Sequence, residues 1–124
     1  MEKNPEMIYE NHILRTKIKG DIDHHNAKRI REEIDAFIFT KKPLMVILDL
    51  SSVEFMDSSG LGLILGRYTN ATDIGAKFIL YHPNKRVKKI LELAGIERIM
   101  DIEGDDGHEA CWKSNENIYT IFIR

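Results

Sequence analysis

The run "LMVILDL", Leu44 to Leu50, constrains this chain more than any other feature. A strand with one wet face alternates apolar and polar residues; a strand covered on both faces does not. The run therefore predicts a central strand of a largely parallel sheet. It is far too short to span a membrane, which takes about 20 apolar residues. Parallel neighbours are joined by long crossovers, usually helices, so helices are expected before and after it.

The flanking segments fit that demand. In "DIDHHNAKRIREEIDAFIFTKKP", Ala27, Ile30, Ile34, Phe37 and Ile38 share one helical face, with Arg29, Glu32 and Glu33 off it. Asp23 or Asn26 can cap the start, and Pro43 stops the helix. Beyond the run, "SSVEFMDSS" reads as a loop and "GLGLILGRYTNATDIG" as a second helix. There Leu61, Ile64, Leu65 and Tyr68 fall at i, i+3, i+4 and i+7, and Gly75 is the expected stop. "AKFILYHP" is a further strand. "NKRVKKILELAG" is the clearest helix: Asn84 caps it, Val87, Ile90, Leu91 and Ala94 face inward, and Gly95 ends it. "IMDIE" is a last short strand. Upstream, "HILRTKIKG" is a strand ended by Gly20, with Met7 to Tyr9 as a short partner across an "EN" turn.

Strands alternating with helices predict an α/β domain with a mostly parallel or mixed sheet of four to five strands, flanked by helices. The domain is expected over residues 1–103. The tail, 104–124, is an atypical extension in which "HEACWK" could open a short helix and "IYTIFIR" has strand composition.

Composition narrows the function. The net charge is −2, with 43% hydrophobic and 31% charged residues, so no basic face invites direct contact with nucleic acid. The local cluster "NKRVKK" reads as a solvated helix face. A single cysteine, Cys111, cannot form an internal disulfide and fits a reducing compartment. No signal peptide or membrane segment is visible, so a cytoplasmic domain is expected.

Chemistry concentrates in "FMDSSGLG". Sites in open α/β sheets gather beyond the carboxyl ends of strands, and this loop joins such an end to a helix N-terminus. Unpaired N–H groups there favour a negative charge such as phosphate. The plainer reading is that one serine caps the helix. That leaves Gly60, Gly62 and Gly66 unexplained, since each costs about 0.5–1 kcal/mol against alanine within a helix. They imply a close approach by the sheet or by a partner. Leu63, read as lying off the core face beside Gly62 and Gly66, would complete a smooth, partly apolar surface next to Ser58 and Ser59.

Catalytic readings fail on spacing. A hydrolase elbow, G-x-S-x-G, needs a glycine two residues before its serine, and Met56 stands there before Ser58; Gly60, Gly62 and Gly66 do not form G-x-G-x-x-G; no G-K-[ST] occurs. Asp49 at a strand end is similar to a receiver phosphoacceptor, but the accompanying acid pair and lysine are missing. Asp21, Asp23, His24 and His25 invite a metal, yet adjacent histidines usually point apart and no third ligand pattern follows.

"GDIDHHNA" followed by "VILDLSSVEFMDSSGLGLILGRY" resembles the STAS-domain anti-sigma factor antagonists, with "DHH" closest to the sporulation branch. The resemblance spans Met7 to Ile102, and the tail departs from the family's C-terminal helix. It implies a regulator without catalysis or cofactor. The unphosphorylated form would bind an anti-sigma factor that is also a serine kinase and release its sigma factor. The residue after Asp57, Ser58, would be the phosphoacceptor, and a PP2C-type phosphatase would restore it. Asp23, Asp57, Ser59, Gly60, Gly62 and Leu63 would form the partner-binding surface, with Ser59 a cap or orienting hydroxyl. The alternative function is a nucleotide- or small-molecule-binding STAS sensor using the same helix N-terminus.

Overall fold

The computed structural model describes residues 3–104, so the helix and strand expected in the tail lie outside it. Strand β1 (Glu6–Glu10) and strand β2 (Ile13–Lys19) form a hairpin. Helix α1 (Ala27–Lys41), strand β3 (Met45–Ser52), helix α2 (Ser58–Asp73), strand β4 (Lys77–Tyr81), helix α3 (Lys85–Leu93), a single 3-10 turn and strand β5 (Asp101–Glu103) follow. The sheet order is β1-β2-β3-β4-β5, antiparallel at the first pair and parallel thereafter. This is the five-strand, mixed version of the expected sheet.

The hairpin turn is one residue later than expected. Asn11 and His12 occupy it, at φ 53° and 66°, the pair of positive φ values that matches the twist of a two-residue hairpin.

Because consecutive strands are neighbours and parallel crossovers are right-handed, α1, α2 and α3 must all lie on one face. The packing agrees. Ile30, Ile34 and Ile38 of α1, Ile64 of α2, and Val87 and Leu91 of α3 join Leu14, Ile18, Val46, Leu48, Leu50, Phe78 and Leu80 of the sheet in one core. The alternate residues Ile13, Met45, Ile47, Ile79 and Tyr81 form a second buried cluster on the opposite face. Burial on both faces is the physical reason that "LMVILDL" shows almost no polar alternation.

Helix ends follow local chemistry. Lys42 takes the left-handed conformation at φ 49°, its N–H bonds the Ile38 carbonyl at 2.9 Å, and Pro43 prevents continuation. Gly75, at φ 80°, closes α2 with bonds from Gly75 to Thr72 and from Ala76 to Ala71. Asn84 caps α3 by accepting from the Val87 N–H at 2.8 Å. Ala94 is exposed rather than inward, since α3 has already ended at Leu93.

Candidate functional site

The serine loop is held on both sides. Downstream of β2, Gly20 donates to the Ser52 carbonyl and Ile22 to that of Phe55, while the Ile22 carbonyl accepts from Asp57 at 3.2 Å. Ile22 and Met56 thus form a parallel bridge, and both are buried. On the other side, the Asn84 amide donates to the carbonyls of Val53 and Glu54 at 3.1 and 3.4 Å. These bonds bring the loops carrying Asp23 and Asp57 together at the carboxyl ends of β2 and β3.

Neither serine caps α2. The cap is Asp57, in extended conformation, whose carboxylate accepts from the Ser59 N–H at 2.7 Å. Ser58 and Ser59 therefore occupy the first two helical positions. Ser58 is exposed and Ser59 half-buried. A carboxylate outcompetes a hydroxyl here because its charge strengthens the bond and suits the helix dipole. The expected capping role of Ser59 gives way to Asp57, and the Ser58 hydroxyl stays on the surface.

The three glycines separate into two kinds. A Cβ on Gly60 would lie 2.6 Å from the Met56 Cβ, so the fold itself requires this glycine. A Cβ on Gly62 or Gly66 would meet nothing within 4 Å. The close approach inferred from all three holds inside the domain at Gly60 alone.

Leu63 is a correction. It is 2% exposed and belongs to the main core, so it is no surface contact. Leu65, expected to face inward, is 38% exposed. The buried stripe of α2 is Gly60, Leu63, Ile64, Arg67 and Ala71. The exposed stripe begins at Ser58 and continues through Gly62, Leu65 and Thr69.

Asp23 is half-buried and holds its own loop. Its carboxylate accepts from the N–H groups of His25 and Asn26, at 2.9 and 3.2 Å. Asn26 returns a bond by accepting from the Asp23 N–H at 3.0 Å. The helix-capping alternatives Asp23 and Asn26 thus act together in the turn before α1. His24 and His25 do not diverge as adjacent histidines usually do; their ring centres are 3.9 Å apart.

A groove of about 320 Å3 runs between α1 and α2 beside the loop. Its walls are His24, Ala27, Lys28, Arg31, Ser59, Gly62 and Leu63, and none of these is acidic. Deeper in the same seam, Arg67 reaches Asp35 at 2.7 Å, and Asp35 also accepts from Asn70 at 2.8 Å. Burial lowers the Arg67 pKa, Asp35 opposes this by charge, and Arg31 adds to the lowering. Sequence reading missed Lys28, Arg31 and Arg67, although the three-residue spacing of Lys28 and Arg31 was a signal for a shared face of α1. A larger cavity, about 680 Å3, opens at the β4–α3 end between Ser51, His82, Lys88 and Asp101, and no residue of the "DSSG" turn lines it.

The chain matches the STAS domain over residues 4–108. It is 34% identical to the anti-sigma F factor antagonist of Paenibacillus polymyxa over 97 residues, covering 78% of this chain and 83% of that one. The crystal structure of the Thermotoga maritima protein TM1081 superposes with a TM-score of 0.77 at 25% identity, over 88% of this chain and 92% of the other. The phosphorylated form of the Bacillus cell-fate determinant SpoIIAA gives 0.67 at 26%, over 89% and 98%. The fold is thus shared with these proteins, and the chain is a member of the STAS-domain family, among the anti-sigma factor antagonists.

Proposed function

We propose that this protein is an anti-anti-sigma factor switched by phosphorylation of Ser58. Unphosphorylated, it binds an anti-sigma factor that is also a serine kinase and forces release of the sigma factor. Phosphorylated, it lets go, and a PP2C-type phosphatase resets it. The protein acts in the cytoplasm as a substrate and a switch.

One observation carries the reading. Ser58 stands exposed at the first position of α2, capped by Asp57, at the head of the exposed stripe through Gly62, Leu65 and Thr69. A kinase can reach such a hydroxyl without unfolding the domain. A partner can lie flat on the same stripe because Gly62 and Gly66 have open space above them. The partner surface we assign is Asp23, Asp57, Ser59 and Gly62, with Leu65 in place of Leu63; Gly60, expected on that surface, is buried against Met56 and supports it from beneath.

Phosphate would add roughly −1.5 to −2 charges at neutral pH beside the Asp57 carboxylate. Like charges at a docking surface weaken the complex through repulsion and desolvation. The α2 N-terminus tolerates the added anion, so the change is local and its readout is binding. The two relatives at 34% and 35% identity are named anti-sigma F factor antagonists, which favours sigma F as the controlled factor over the sigma B of relatives at 26%.

The test is incubation with candidate anti-sigma kinases and ATP, followed by site mapping with mass spectrometry. Phosphate on Ser58 is the expected result; phosphate on Ser59 alone, or on neither serine, would overturn the mechanism. A Ser58→Ala protein should bind its kinase and stay bound, while Ser58→Asp should bind poorly.

A further inference from the structure

We propose that the basic groove between α1 and α2, walled by His24, Lys28 and Arg31, is an internal receptor for the phosphoryl group on Ser58. The inference rests on the reading of Ser58 as the phosphoacceptor and adds where the phosphate goes.

The geometry puts Ser58 beside the groove. Ser58 is adjacent to Ser59 and one helical turn before Gly62, and both of those line the groove. On α2 the side chain at position 58 therefore stands at the groove's rim, on the Gly62 side. Nothing lies within 4 Å of where a Gly62 side chain would begin. A phosphoryl group on the Ser58 oxygen can swing over that gap toward α1. A larger residue at position 62 would stand in its path.

Charge is segregated in the same sense. The chain as a whole is −2, yet the groove's ionisable walls are His24, Lys28 and Arg31. The acids nearby face elsewhere or are engaged. Asp57 holds the Ser59 N–H, Asp23 holds the N–H groups of His25 and Asn26, and Asp35 pairs with Arg67. A phosphoserine dianion beside two long cationic side chains gains charge-assisted hydrogen bonds that a serine hydroxyl does not. The receptor would hold the modified side chain against α1, while Asp57 supplies the opposing repulsion.

The experiment installs phosphoserine at position 58 during translation and follows its titration by phosphorus NMR at low salt. Cations lower the midpoint of the second phosphate ionisation, and Asp57 raises it. A single cation about 6 Å away in water shifts a midpoint by roughly half a pH unit. Lys28→Gln/Arg31→Gln should therefore raise the midpoint by about one unit. Lys85→Gln/Lys88→Gln on α3 removes the same charge elsewhere and should leave it in place. Gly62→Val, with every cation retained, should also raise it. Measured as the difference from free phosphoserine in the same buffer, the cation-induced lowering of the midpoint in the unsubstituted phosphoprotein should shrink as salt is added, a readout that needs no variant to fold. Equal shifts from the α1 and α3 pairs, or no shift from Lys28→Gln/Arg31→Gln, would overturn the receptor. Because no kinase is used, a failure here is distinct from a failure of the switch: an unmodified Ser58 in the kinase assay would refute the switch alone.

Discussion

Replacing Gly60 with alanine separates packing from helix propensity at the head of α2. Within a helix, alanine is favoured over glycine by about 0.5–1 kcal/mol, so propensity by itself predicts stabilisation. The structure predicts the opposite. The new Cβ would sit 2.6 Å from the Met56 Cβ and 3.0 Å from its sulfur. The sulfur can rotate away, but the Met56 Cβ is fixed to backbone that bridges to Ile22. Either the loop or the start of α2 must shift. Overpacking of this kind costs about 1–3 kcal/mol, which leaves a net loss of about 0–2.5 kcal/mol, centred near 1, after the propensity gain. Gly62→Ala is the matched control, with nothing within 4 Å of its Cβ and the full gain expected. Urea unfolding followed by circular dichroism should show a lower midpoint for Gly60→Ala and a higher one for Gly62→Ala, with the slope unchanged. Equal stabilisation by the two substitutions would refute the packing argument. The same pair bears on the proposed switch, since the shift that Gly60→Ala forces at the head of α2 would also move Asp57 and Ser58.

Other expectations follow from neighbouring contacts. Asp57→Ala should cost about 1 kcal/mol in thermal or urea unfolding by removing the α2 cap, and Asp57→Asn should recover most of it. Leu63→Ala should cost about 2–5 kcal/mol as a core truncation, whereas Leu65→Ala should stay within about 0.5 kcal/mol in stability and weaken kinase binding measured by calorimetry. Asp35→Ala should cost about 2–3 kcal/mol by stranding Arg67, less than a fully buried pair because the Asp35 side chain is 22% exposed. Asp35→Ala combined with Arg67→Met should restore much of that loss, and a double variant no more stable than Asp35→Ala would contradict the stranded-charge explanation.

Much of the frame was legible because the signals are local. Asn84 and Gly95 bracket α3, Gly75 closes α2, and Ile30, Ile34 and Ile38 mark the buried face of α1. Each depends on a few adjacent residues and on backbone geometry that tertiary packing does not reverse. The site was less legible. "GLGLIL" has apolar residues at positions 61, 63, 64 and 65, which surround most of a helix turn, so periodicity selected Leu65 where the sheet actually receives Leu63. A hydroxyl and a carboxylate are both good caps, and only the extended backbone at Asp57 assigns the role.

By itself, then, the sequence determined that a strand buried on both faces would feed a serine loop and a glycine-bearing helix. It also carried the motif on which the proposal of Ser58, rather than Ser59, as phosphoacceptor rests. Tertiary structure decided which glycine the fold needs, which leucine is core, and that α1 lays Lys28 and Arg31 beside Ser59. The reason is distance along the chain. A cap or a turn is settled by bonds between near neighbours, whereas a groove exists only once right-handed crossovers have set two helices side by side on one face of the sheet.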